Sequence, residues 1–157
     1  MQARIDFPKV APDAYKAVLA LETYVRRSGI SPSLLELIKI RSSQINGCAY
    51  CIDMHTKDAR ARGETEQRIY ALDAWREAPF YTDRERAVLA YTEAVTLVHQ
   101  GHVPDFVFAE VRKHFNETEL VNLTLAIATI NVWNRLAISF RSVPGEYQPA
   151  VAQRLAG

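Results

Sequence analysis

The chain has 157 residues, 48% apolar and 24% charged, with a formal net charge of +1. That length supports one domain, residues 1–157, with a hydrophobic core of its own. The charge balance leaves no basic stripe for nucleic acid and no cationic surface for an anionic membrane.

In chain order, the opening "MQARIDFPKV" lacks the basic-then-apolar pattern of a signal peptide. Pro12 suits a helix first turn and predicts a helix over 12–28. Ser31 before Pro32 caps a second over 32–46. Asn46-Gly47 ends it, and a third covers 48–62. A shorter helix follows over 65–77. Thr82 with Glu85 forms a capping box for 83–100, Pro104 opens 104–114, and Asn116 with Glu119 caps 117–141. Gly29, Gly47, Gly63 and Gly101 each follow such a segment, where a left-handed residue is wanted. No segment alternates as an amphipathic strand does. The expected fold class is all-α, a compact helical bundle of antiparallel hairpins joined by short loops.

The last helix is apolar on nearly every face, from Leu123 and Ile127 through Val132, Trp133 and Ile138. It is expected to be buried all round, either at the bundle centre or at a subunit interface. Its segment "LVNLTLAIATINVW" is broken by Asn and Thr and reads as too short to cross a bilayer. The ending "VPGEYQPAVAQRLAG" reads as a tail, loose or docked on a partner. A cytoplasmic location is expected. There, two cysteines stay reduced unless they do redox work or bind metal.

Both cysteines fall in "NGCAYCIDMH". Cys48 and Cys51 stand at i and i+3 in the first turn of the third helix, close enough to form a disulfide. Backbone N–H groups at a helix N-terminus stabilise a thiolate, most of all at Cys48. His55 lies at i+4 from Cys51, on the same face, where an imidazole can take the thiol proton. Two rival readings remain. The cysteines could serve as small apolar core residues. They could also join His55 and a carboxylate around a metal, although a structural zinc site wants a second ligand pair. His99 and His102 flank Gly101 and read as loop residues. Glu36, in the apolar "LLELIKI", lies eleven residues before Gly47, and His55 eight after it. At about 1.5 Å per residue the two are nearly level. Glu36 is then either an exposed partner of Lys39 at i+3, or a partly buried carboxylate with a raised pKa that orients the imidazole.

The pattern Glu36, eleven residues, Cys48-Ala-Tyr-Cys51, three residues, His55 resembles the signature of the alkylhydroperoxidase D-like family, within the carboxymuconolactone decarboxylase-like superfamily. "INVWNRLAISF", with Asn131, Asn134 and Arg135, resembles that family's last core helix. The resemblance implies a thiol-dependent hydroperoxidase. Cys51 would be the deeper, attacking thiol. Cys48, nearer the surface, would resolve the sulfenate and exchange with the reductant. His55 and Glu36 would form the proton relay. Tyr50 departs from the pattern, since the family carries His there. A phenol donates a hydrogen bond but titrates near pH 10 and takes up no proton at neutral pH. The family's decarboxylase branch works on a lactone without a redox cysteine pair. The implied partners are a hydroperoxide and an external dithiol, in a homo-oligomer (hexamer or trimer). Nucleic acid, membrane, metal and organic cofactor are not implied. The rival of another class is a non-enzymatic redox sensor whose disulfide alters assembly.

Overall fold

The computed structural model describes residues 2–149. No strand occurs among them. The helices are α1 (Phe7–Val10), α2 (Pro12–Arg27), α3 (Pro32–Asn46), α4 (Ala49–Ala61), α5 (Glu66–Tyr70), α6 (Asp83–Thr96), α7 (Asp105–Arg112) and α8 (Glu117–Phe140). Local chemistry sets these ends. The Ser31 side chain accepts from the Leu34 N–H. Thr82 with Glu85 and Asn116 with Glu119 form complete capping boxes on α6 and α8. Loss of such a cap costs about 1 kcal/mol.

Three elements differ from the sequence expectation. Helix α1 was not anticipated; it forms because Asp6 caps it at the Lys9 N–H and a proline occupies its first turn. The expected helix over 65–77 breaks after Tyr70 and tightens into a 3-10 turn, Leu72–Ala74. Ile69, Leu72 and Trp75 all enter the core. Their three-residue spacing keeps them on one line only in the tighter 3-10 geometry. The expected helix over 83–100 ends at Thr96 and continues as a second 3-10 turn, Val98–Gln100.

Helix α3 is the centre of the bundle, packed against α4, α6 and α8. Leu37, Ile38 and Ile40 are fully buried in it. So is Lys39, at 1% exposure. Its ammonium donates to Glu22 Oε1 on α2 at 2.6 Å. The pairing is the condition on which such a charge stays buried.

Helix α8 has 24 residues, long and apolar enough to cross a membrane by length and composition, so the expectation that it was too short does not hold. In the bundle it is a core helix. Leu123, Ala126, Ile127 and Ile130 are buried, and its Asn and Thr side chains find hydrogen-bond partners inside. Val121, Val132 and Ile138 are exposed on its outer side in the single chain, so of the two expected places for this helix the bundle centre accounts for one side only, and burial of the other would take a partner subunit. Residues 150–157 of the anticipated tail lie outside the described residues. The part before them is fastened to α4, where Lys57 Nζ donates to the carbonyls of Gly145 and Tyr147, both at 3.1 Å.

Candidate dithiol site

The turn between α3 and α4 builds the site. Gly47 closes α3 in the left-handed region (φ 68°), which only glycine adopts without strain. The Cys48 N–H then donates back to the Ser43 carbonyl at 2.9 Å. Cys48 thereby ends one helix and caps the next: its Sγ accepts from the Cys51 N–H at 3.4 Å. Side chains of α8 brace the turn from the far side. Asn46 Nδ2 donates to Asn131 Oδ1 at 2.9 Å and to Asn134 Oδ1 at 2.8 Å. Asn134, fully buried, donates to Ser43 Oγ at 3.0 Å. Both cysteines pack with Ile130 and Ala137 of the same helix.

The cysteines are free thiols. They are 2% and 1% exposed for Cys48 and Cys51, so exposure does not make Cys48 the surface member of the pair. A cavity of about 510 Å³ separates them: Cys51 lines it and Cys48 does not. His55, Tyr50, Met54 and Trp133 also line it. The N-terminal segment roofs it, held by the Arg4 N–H on the Phe140 carbonyl at 2.8 Å and by Phe7 stacked near Phe140.

Charge divides the pair in the opposite sense. The Cys51 thiol donates to Cys48 and, against the effect of burial, brings its pKa down to about 7; the Cys51 and Tyr50 backbone and the Asn134 amide assist. Donating that hydrogen bond and being buried both push the Cys51 thiol up. The first charge in the dithiol therefore sits on Cys48, as helix-end electrostatics implies. The folded pKa is depressed, so Cys48 is a thiol below it and a thiolate above it. Ultraviolet thiolate absorbance is expected to rise with a midpoint near pH 7 in the wild type. The transition vanishes in Cys48→Ser. It moves to higher pH in Cys51→Ala, which lacks the donor.

Glu36 and His55 meet directly, Nδ1 to Oε2 at 2.8 Å, both buried. The reading of Glu36 as an exposed partner of Lys39 is thus overturned, because Lys39 belongs to Glu22. The expected upward shift is overturned too. Burial pushes the Glu36 carboxyl up, but the His55 hydrogen bond and the charges of Lys39 and Arg62 outweigh it and hold the pKa below the usual value. The second oxygen of Glu36 accepts from Arg62 Nη1 at 2.8 Å. Arg62 escaped the sequence reading, although it lies seven residues beyond His55 on the same helix face. Glu22 escaped it as well, and Lys39 and Asn134 were noted without their partners, which come from distant helices. Tyr50 is half-buried in the cavity wall, and burial raises its pKa further. At neutral pH it offers an O–H donor and no base.

The side chains whose geometry could hold a metal differ from the expected set of Cys48, Cys51, His55 and a carboxylate. Glu36, His55 and Asp58 present ligand atoms within 4.8 Å of one another. Each already holds a protein partner, Asp58 accepting from the Tyr147 hydroxyl at 2.8 Å. His99 and His102 are exposed around the turn beyond α6 and do not line the cavity.

Comparison with known proteins places this geometry in a family. The model of the carboxymuconolactone decarboxylase family matches residues 12–94, which include Glu36, both cysteines and His55. The uncharacterized protein YdfG of Bacillus subtilis is 48% identical over 139 residues, covering 88% of this chain and 95% of the relative. A solved protein of unknown function from Agrobacterium tumefaciens, described as a putative antioxidant defence protein AhpD, superposes with a TM-score of 0.90. It is 46% identical, over 93% of this chain and all of that one. The debrominase Bmp8, 23% identical, shares the fold with a TM-score of 0.77 over 91% of this chain and 75% of its own. The all-helical bundle and the half of the chain that carries the dithiol turn thus agree with one assignment: this is an alkylhydroperoxidase D-like member of the carboxymuconolactone decarboxylase family.

Proposed function

We propose that the protein is a thiol-dependent peroxidase that reduces organic hydroperoxides through Cys48 and Cys51. The observation that carries this reading is the buried Glu36–His55 pair beside a reduced dithiol, with Cys51 and His55 lining one cavity. Family membership supports it, since the family is associated with enzymes.

The proposed steps draw on this geometry. A hydroperoxide in the cavity meets Cys51, not Cys48. His55, one turn along α4, takes the Cys51 proton while Glu36 holds the ring and balances its charge. The Cys51 thiolate attacks the terminal peroxide oxygen. An S–O bond forms, the O–O bond breaks, and the departing alkoxide takes the proton back from His55. The Cys48 thiolate then attacks Cys51 Sγ. The S–S bond forms as the S–O bond breaks, and the departing hydroxide leaves as water by taking from solvent the proton that Cys48 gave up on ionising. An external dithiol reduces the disulfide by exchange. A thiol with a pKa of about 7 suits the resolving step, being largely ionised at neutral pH yet still nucleophilic. Tyr50 contributes a hydrogen bond to the peroxide and takes no proton. No organic cofactor enters this cycle. The exposed apolar residues of α8, Val121, Val132 and Ile138, are where copies of the chain would pack in a homo-oligomer.

Sustained consumption of an organic hydroperoxide with dithiothreitol as reductant tests this reading. Many turnovers per subunit are expected. Glu36→Gln, which keeps the shape and removes the charge, is expected to slow turnover by about a hundredfold or more. A single oxidation followed by a change in oligomer size, without turnover, would instead identify a redox sensor.

A further inference from the structure

Both sulfurs of the pair are buried, and they differ in what opens onto them. Cys51 lines the cavity of about 510 Å³, and Cys48, 2% exposed, does not. Reduction of a disulfide is a displacement at sulfur: a thiolate attacks one sulfur and the other departs. The sulfur attacked is decided by access to it and by how well its partner carries the departing charge.

Access points to Cys51. A cavity of this size admits an organic molecule whole. The turn that carries Cys48 is tied down instead. Its N–H is bonded to the Ser43 carbonyl at 2.9 Å, and the adjoining Asn46 is held by Asn131 and Asn134 of α8. A thiol presented on the surface of a folded protein meets neither buried sulfur.

The leaving group points the same way. Cys48 caps α4, and its Sγ accepts from the Cys51 N–H at 3.4 Å. Of the groups that lower its pKa, the Cys51 thiol comes first and is consumed in the disulfide; the Cys51 and Tyr50 backbone and the Asn134 amide persist. A thiolate departing from Cys48 is therefore received by donors already in place, at a helix N-terminus. Cys51 is the poorer leaving group. Donating to Cys48 and being buried push its thiol up, beyond what Asn134 and Ser43 return.

We propose that the Cys48–Cys51 disulfide is reduced at Cys51, by a small thiol that enters the same cavity, with Cys48 as the leaving group. The resemblance to the family implies exchange at Cys48 instead. In the first step the thiolate bonds to Cys51 Sγ, the Cys48–Cys51 bond breaks, and Cys48 keeps the electron pair. A second thiol, of the same molecule or another, loses its proton to solvent and attacks the reductant's sulfur. Cys51 leaves as thiolate and is reprotonated. Two thiols are oxidised to one disulfide, and the protein regains its dithiol. Peroxide and thiol then share one space, so excess thiol inhibits turnover and added peroxide relieves it. That consequence rests on the peroxidase reading, whereas the site of exchange does not.

The test starts from wild-type protein closed to the disulfide with diamide, so no peroxide is used. The oxidised protein is mixed with 2-mercaptoethanol, quenched at once with N-ethylmaleimide at mildly acid pH, and mapped by fragment mass spectrometry. The mercaptoethanol adduct is expected on Cys51 and the maleimide on Cys48. Reduction by dithiothreitol and by reduced thioredoxin, a folded protein dithiol, is timed alongside, and thioredoxin is expected to be no faster. The adduct on Cys48, thioredoxin faster than dithiothreitol, or a pair that diamide does not close overturns the proposal. An adduct on Cys48 in a protein that turns over hydroperoxide refutes only this route. An adduct on Cys51 without peroxide turnover refutes the peroxidase reading and leaves the route standing.

Discussion

Replacement of Cys51 by Ser is expected to lower hydroperoxide consumption on the order of a thousandfold or more, to background. The expectation follows from access and not from acidity. Cys48 is the more acidic thiol, yet of the two only Cys51 lines the cavity that the proposed peroxide would enter. Cys48→Ser separates the two contributions. It keeps the attacking sulfur and loses the resolving one, so it is expected to consume about one equivalent of peroxide and stop, heavier by one oxygen as a sulfenic acid. If Cys48→Ser is inert and Cys51→Ser consumes one equivalent, acidity governs the attack and the roles are exchanged. Consumption assays on the two variants, with intact mass, distinguish the cases.

The second large effect concerns the fold. Glu22→Ala leaves the Lys39 ammonium 1% exposed and without the partner it meets at 2.6 Å. A buried charge stranded in this way costs about 3–5 kcal/mol, a fall on the order of ten degrees in Tm for a domain of this size. Glu22→Leu with Lys39→Met exchanges the pair for apolar volume and is expected to recover most of that loss. Thermal unfolding of the three proteins gives the comparison. Equal melting temperatures for wild type and Glu22→Ala would show that Lys39 is not held by Glu22.

Much of this architecture was legible in the sequence because it is set locally. Caps such as Thr82 with Glu85 and stops such as Gly47 act within four residues, so the bounds of α3, α6 and α8 fall near their expected places at the capped ends. The dithiol was legible for the same reason, since Cys48, Cys51 and His55 share one helix end. Elements decided by packing were not. The break after Tyr70 answers to the need to bury Ile69, Leu72 and Trp75 together, which no local signal states. Glu36 and Lys39 show the limit most plainly. Three residues apart on one helix, they read as a surface pair. The bundle instead turns Glu36 to His55 and Arg62, and Lys39 to Glu22. The family resemblance assigned Glu36 its partner where spacing left it open. Glu22 carried no signal at all, because its partner Lys39 lies seventeen residues away on another helix.

The most direct test of the central claim is a free-thiol count with intact mass on fully reduced protein, before and after one equivalent of an organic hydroperoxide. A dithiol that acts as described loses both thiols and a mass of about two hydrogens per chain, the signature of one Cys48–Cys51 disulfide. Survival of both thiols under conditions where a control peroxidase reacts would contradict the account.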